Sequence, residues 1–166
     1  SKASINKQLA TFAAHQVKDG IVNVLDLNDF EMPIYSIDRE TETGIPQLVQ
    51  DFKSQIDKAD GIVISFAEHN GMYTAAFKNI SDWVSRADRD LWTNKPLFLL
   101  GTSPGGRGAQ TVLGFAVSSF GRTNKRVVVD FSLPSFHQNF SNETGITEPE
   151  LAKKFKEQLE IFSKAL

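Results

Sequence analysis

Two short runs in this chain, Ile62-Val63-Ile64-Ser65-Phe66 and Pro96-Leu97-Phe98-Leu99-Leu100, are apolar almost without interruption. A strand with one wet face alternates apolar and polar residues. Near-continuous apolar strands belong to sheets covered on both sides, which are the parallel sheets of α/β proteins. The intervening segments have the matching helical period. Ile5, Leu9, Phe12, Ala13 and Val17 lie on one helical face, and Gly20 is placed to stop that helix. Pro46 suits the first turn of a helix that buries Leu48, Val49, Phe52 and Ile56. Phe77, Ile80, Val84 and Ala87 point one way on a third helix. Val112, Leu113, Phe115, Ala116 and Phe120 mark a fourth, and Leu151, Phe155, Leu159 and Phe162 a closing one. Residues 21–25 and 126–129 read as further strands, 27–44 as irregular and 135–149 as a polar loop. Strands alternating with helices predict one doubly wound domain over residues 1–166. Such folds place a strand before the first helix, whereas this chain opens on the helix itself. In a strand order of 2-1-3-4-5 that strand is central, so roughly ten residues, a strand and a short loop, are expected upstream of Ser1.

The bulk composition excludes more than it suggests. With no cysteine, the chain has no disulfide framework, thiol nucleophile or cysteine metal site. His15, His69 and His137 form no ligand-spaced motif. A formal charge of −2 gives no electrostatic case for nucleic acid, and no apolar run approaches the roughly 20 residues that span a bilayer. A soluble, cytoplasmic protein is the expectation.

Three polar, glycine-bearing loops fall where open α/β sheets bind ligands, beyond the carboxyl ends of strands. The first ends at Ser1-Lys2-Ala3-Ser4-Ile5-Asn6, where Ser4 can cap the helix or, with its neighbours, face a phosphate. The second is Glu68-His69-Asn70-Gly71. Its side chains can serve a ligand or stand as ordinary solvated loop groups. The third runs Thr102-Ser103-Pro104-Gly105-Gly106-Arg107-Gly108, with glycines that let backbone amides approach a flat ligand. Two rival motifs overlap it. Gly101-Thr102-Ser103-Pro104-Gly105 has the spacing of a hydrolase nucleophile elbow, with Asp130 and His137 following in order. Pro104, however, lacks the N–H that the oxyanion hole requires. Gly106-Arg107-Gly108 begins a dinucleotide fingerprint, but Thr111 stands where its third glycine belongs.

The stretch from Ala67 to Trp83 resembles the signature loop and helix of the NADPH-dependent FMN reductase family, in which Pro-Glu-Tyr-Asn precedes Leu-Lys-Asn-Ala-Ile-Asp-Trp. Glu68, Asn70, Lys78, Asn79, Asp82 and Trp83 match. Ala67, His69 and Thr74-Ala75 depart from the usual Pro, Tyr and Pro-Gly. Thr102 to Gly106 matches a second family segment, and Ser4 and Asn6 match part of a third. The resemblance implies a flavodoxin-like fold, a five-stranded parallel sheet of order 2-1-3-4-5, that binds FMN. The phosphate would lie against Ser1, Ser4 and Asn6, and the ring edge against Glu68, His69, Asn70 and Gly71. The pyrimidine end would meet Thr102, Ser103, Gly105, Gly106 and Arg107. It further implies hydride transfer from NADPH or NADH through FMN to a flavin, quinone, azo or metal-ion acceptor, in a homodimer or dimer of dimers. Tyr73, Trp92 and the Trp83 helix suit such an interface. The alternative is a flavodoxin-type electron carrier, for which the small net charge supplies little docking field.

Overall fold

The computed structural model describes residues 3–92 and 94–166. Its centre is a parallel sheet of β1 (Ile62–Phe66), β2 (Leu97–Thr102) and β3 (Val128–Leu133), in the order β1-β2-β3. Alternation along β2 explains why its sequence is apolar throughout. Leu97 and Leu99 enter one core with Val49, Phe52, Ile80 and Val112, contributed by α3 (Gln47–Asp57), α4 (Ala75–Ala87) and α5 (Gln110–Thr123). Phe98 and Leu100 enter the opposite core with Leu9, Phe131, Phe155 and Phe162, beneath α1 (Ile5–His15) and α7 (Pro149–Ser163). All six β2 residues are buried. The expectation of a parallel sheet covered on both faces therefore holds.

The five-stranded arrangement is present only in part. Residues 21–25, read as a strand, form none: Ile21 is fully exposed and Val24 is 45% exposed. A strand is defined by a partner, and among the described residues this segment has no ladder; its Asn23 amide donates to the Gln55 side chain at 2.9 Å instead. The edge of β1 away from β2 likewise pairs with no described strand. The last large strand begins later than 126–129 suggested and continues through Asp130 to Leu133, because Val129, Phe131 and Leu133 share one buried face. Within 27–44, read as irregular, lie a 3-10 turn (Leu27–Phe30) and α2 (Ile37–Thr43). The polar loop before α7 holds α6 (Phe136–Asn139) and a small hairpin of β4 (Phe140–Ser141) and β5 (Gly145–Ile146).

The signature helix owes part of its sequence to packing. Trp83 is 1% exposed, so it belongs to the core and not to an open interface. Its indole N–H donates to the Pro33 carbonyl at 2.8 Å. Asn79 accepts from the Tyr35 amide at 2.9 Å and donates to the carbonyls of Met32 and Pro33. These two side chains dock the segment 32–35 onto α4. Lys78 and Asp82 form an exposed i,i+4 ion pair at 2.7 Å, worth a few tenths of a kcal/mol at most.

Candidate functional site

The sheet brings all three loops to its carboxyl end, and named bonds join them. The first contributes the start of α1. Ser4 caps the helix by accepting from the Lys7 amide at 3.2 Å. Asn6, 6% exposed, turns inward: its Oδ1 accepts from Ser65 Oγ at 2.6 Å and from the Thr102 amide at 3.2 Å, and its Nδ2 donates to the Thr102 carbonyl at 3.1 Å. One side chain thus ties the first turn of α1 to the ends of β1 and β2. Thr102, 1% exposed, is also spent internally, donating its hydroxyl to the Leu133 carbonyl at 2.7 Å. Ser1 lies outside the described residues.

In the second loop, His69 and Met72 exchange both backbone bonds at 3.0 Å, with Asn70 at φ 53° and Gly71 at φ 77° between them. Two successive positive φ angles make a tight hairpin turn, for which Asn-Gly is the preferred pair. The identities of Asn70 and Gly71 are therefore accounted for by backbone geometry before any ligand is considered. His69 and Asn70 are exposed at the tip. Glu68 is not: its side chain is 11% exposed, and its Oε2 accepts from the Val112 amide, 44 residues ahead, at 3.0 Å.

The third loop is the opposite case. Ser103 Oγ donates to the Gly105 carbonyl at 3.1 Å, and the carbonyls of Ser103 and Gly105 accept from the Phe136 and Ser135 amides. The carbonyls are thus held from behind, while the amides of Gly105, Gly106 and Arg107 donate to nothing among the described residues. A Cβ at Gly105 or Gly106 would meet no atom within 4 Å. Arg107 is 85% exposed, its guanidinium 4.0 Å from Glu68 Oε1. Gly108 differs: at φ 55° its missing Cβ would come within 2.5 Å of Ser132 Oγ and 2.8 Å of the Pro134 nitrogen. It seats the loop against the sheet, and Ser132 donates to its carbonyl at 2.8 Å.

The resulting chemistry is that of a donor-rich cradle. Backbone amides on the third loop, and those of Ile5 and Asn6 at the start of α1, which donate to nothing among the described residues, suit the acceptor atoms of a flat heterocycle and an anion. These residues fit FMN: a donor-bearing, side-chain-free surface beside a helix amino terminus is what a flavin phosphate ester requires. A cleft of about 490 Å³ runs along α1 past Phe12 and Phe140. It includes Ser4 but no residue of the second or third loop, so it is not the cradle. Beneath the hairpin lies Tyr73, which the sequence offers only as an interface aromatic. Its hydroxyl is buried beside the rings of Phe66, Phe77 and Phe115 with no hydrogen-bond partner among the described residues, and burial pushes its pKa up to about 12.

Comparison with known proteins shows the family. A 2-hydroxy-1,4-benzoquinone reductase from Burkholderia sp. is 36% identical over 107 residues, 63% of this chain and 56% of that protein. A quinone reductase from Escherichia coli (strain K12) is 35% identical over 75 residues, 45% of this chain and 40% of that protein. The chain thus spans about half the length of these curated relatives. FerB, a flavoenzyme NAD(P)H:(acceptor) oxidoreductase from Paracoccus denitrificans, shares the fold, with a TM-score of 0.73 over 99% of this chain and 91% of that one at 23% identity. The sequence model for NADPH-dependent FMN reductase matches residues 1–141. With most of its length matched by that model, the chain belongs to the NADPH-dependent FMN reductase family.

Proposed function

We propose that this protein is an NAD(P)H-dependent flavin oxidoreductase of the FMN reductase and quinone reductase type, acting as a single FMN-binding domain in the cytoplasm. The observation that carries the reading is the glycine-rich loop, whose Ser103 and Gly105 carbonyls are anchored while the amides of Gly105, Gly106 and Arg107 donate to nothing among the described residues, beside open space. FMN, when bound, supplies the chemistry: it accepts a hydride from the nicotinamide and passes electrons to a quinone, flavin, azo or metal-ion acceptor. The protein binds and orients. The start of α1 with Ser4, and Ser1 ahead of it, would hold the phosphate, with Asn6 fixing that turn to the sheet. Glu68, His69, Asn70 and Gly71 would border the ring. Thr102 and Ser103 would shape the strand end from which Gly105, Gly106 and Arg107 reach the pyrimidine end. No side chain is needed as an acid or base for the hydride step.

The finer architecture belongs to the same proposal. The edge of β1 that pairs with no strand among the described residues and the exposed apolar residues of 21–25 support the order 2-1-3-4-5, with 21–25 as an outer strand and one strand between it and β1. Met72 and Phe115, each about half exposed beside the hairpin, support a homodimer that places this loop near the two-fold axis. The two substrates would use one ring face in turn, giving ping-pong kinetics. The test is an absorbance scan of the protein with FMN, before and after anaerobic NADPH. Uptake of FMN and bleaching of its visible band is the expected result. Bound flavin that neither NADPH nor NADH bleaches would make the protein an electron carrier, and absence of uptake would overturn the reading.

A further inference from the structure

Helix α5 begins without a cap of its own. Its N-cap residue, Ala109, is left-handed at φ 59° and has no side chain to offer the first amides. A helix start carries about half a positive charge and unsatisfied N–H groups. Glu68 supplies the missing acceptor from the neighbouring loop, binding the Val112 amide at 3.0 Å with a carboxylate only 11% exposed. Its second oxygen faces Arg107 at 4.0 Å, but that guanidinium is 85% exposed and so strongly screened. A full negative charge with little solvent access therefore lies against half a positive one, beside the glycine-rich loop that carries Arg107.

We infer that Glu68 is a positioning residue that acts through α5: it locks the second loop to the third and sets a negative potential at the loop, which lowers the reduction potential of a flavin held there. Arg107 opposes it with the weaker hand. The inference rests on the flavin reading above and adds to it the sign of the field and the residues that set it. Two-electron reduction of a flavin leaves added negative charge at its pyrimidine end unless a proton neutralises it. A nearby buried carboxylate disfavours that charge and a nearby guanidinium favours it. The arrangement fits a reductase that must pass its electrons onward rather than hold them.

The test uses the FMN-loaded full chain and three variants. Glu68→Gln keeps an oxygen for the Val112 amide and removes the charge. The potential of its bound FMN is expected to rise by about 30 mV, a tenfold change in a two-electron equilibrium. Arg107→Ala is expected to lower the potential, by less, and to lose that shift first as salt is raised. An unchanged or lower potential in Glu68→Gln, or shifts of the same sign in both variants, overturns the tuning role. A second readout needs no flavin. Glu68→Ala should speed hydrogen exchange at the Val112 amide at least tenfold in the apoprotein while Glu68→Gln does not, and unchanged exchange in Glu68→Ala overturns the cap. Failure of the wild-type chain to take up FMN would overturn the flavin reading and the tuning with it, and the exchange measurement would then decide the cap alone.

Discussion

The hairpin after β1 and the glycine-rich loop after β2 lie side by side and draw on the same residue types, yet they spend them differently. In the hairpin, Asn70 and Gly71 take the positive φ angles of a two-residue turn, and His69 and Met72 close it with a pair of backbone bonds. The two residues that close the turn satisfy each other, and the Asn70 and Gly71 amides at its tip donate to nothing among the described residues. In the glycine-rich loop the Ser103 and Gly105 carbonyls are bound, the amides of Gly105, Gly106 and Arg107 donate to nothing among the described residues, and two of its glycines face open space. A glycine or asparagine at a sheet's carboxyl end is therefore not in itself a mark of ligand binding. The mark is a donor left unpaired in a place the rest of the loop holds still.

Glycines within one loop give the sharpest way to break that comparison. Gly108→Val should cost about 3–5 kcal/mol, since a β-branched residue at φ 55° is strained and its Cβ collides with Ser132 and the Pro134 backbone. Thermal unfolding would register it as a drop of many degrees or a failure to fold. Gly105→Val adds its Cβ where no atom lies within 4 Å and should leave stability within about 0.5–1 kcal/mol, while FMN affinity measured by fluorescence falls steeply. Equal losses of stability in the two variants would remove the distinction between a seating glycine and a cradle glycine.

Asn6 tests the same distinction on α1. Its two bonds to Thr102 are buried and its bond from Ser65 is partly so, and Asn6→Ala leaves the strand-end groups without partners at a cost of about 2–4 kcal/mol. Denaturant unfolding should show the loss with no flavin present. An unperturbed midpoint in the apoprotein would return Asn6 to a purely ligand-facing role.

What could be read from the chain follows from how local each cause is. The faces of β2 were legible because burial on both sides leaves its mark on every residue from Leu97 to Leu100. The start of α3 behind Pro46 was legible because a first-turn proline is a local signal. Residues 21–25 carry a strand's composition, but a strand needs a neighbour, and composition cannot supply one. Asp130 interrupts an apolar run and hid the true extent of β3, whose burial alternates around it. In the site, Glu68 stands out in the sequence as a loop carboxylate, yet its partner lies 44 residues away and its role as the cap of α5 has no sequence pattern. Asn6 and Thr102 matched a ligand-binding family segment, whereas their side chains bind the protein itself.

Tyr73 is the reverse of the bonded His69–Met72 pair above it. Its hydroxyl is buried and unbonded among the described residues, so Tyr73→Phe removes a desolvated group while keeping the ring contacts to Phe66, Phe77 and Phe115. A gain of about 1 kcal/mol in the isolated protein is expected from chemical denaturation. A loss of that size would mean that the hydroxyl has a partner, and the hairpin floor would then join the list of groups the second loop keeps for others.

The smallest effect lies at the rim of the first loop, where Lys7 of α1 meets Asp26 at 2.6 Å. The lysine, helped by the Asn28 amide, holds the Asp26 carboxyl down to about 2. A carboxylate whose pKa falls on folding binds its proton more readily in the unfolded chain, so it stabilises the fold above pH about 4. That contribution is lost as the pH drops from about 4 toward 2. Both partners are partly exposed, Lys7 at 45% and Asp26 at 26%, and solvent screening keeps the contribution below about 1 kcal/mol. Asp26→Asn should flatten that portion of the stability–pH curve and leave the rest unchanged, with the difference shrinking further in high salt. A difference between the variants that persisted undiminished at high salt would instead assign the effect to the Asp26 cap on the Asn28 amide, which asparagine reproduces only in part.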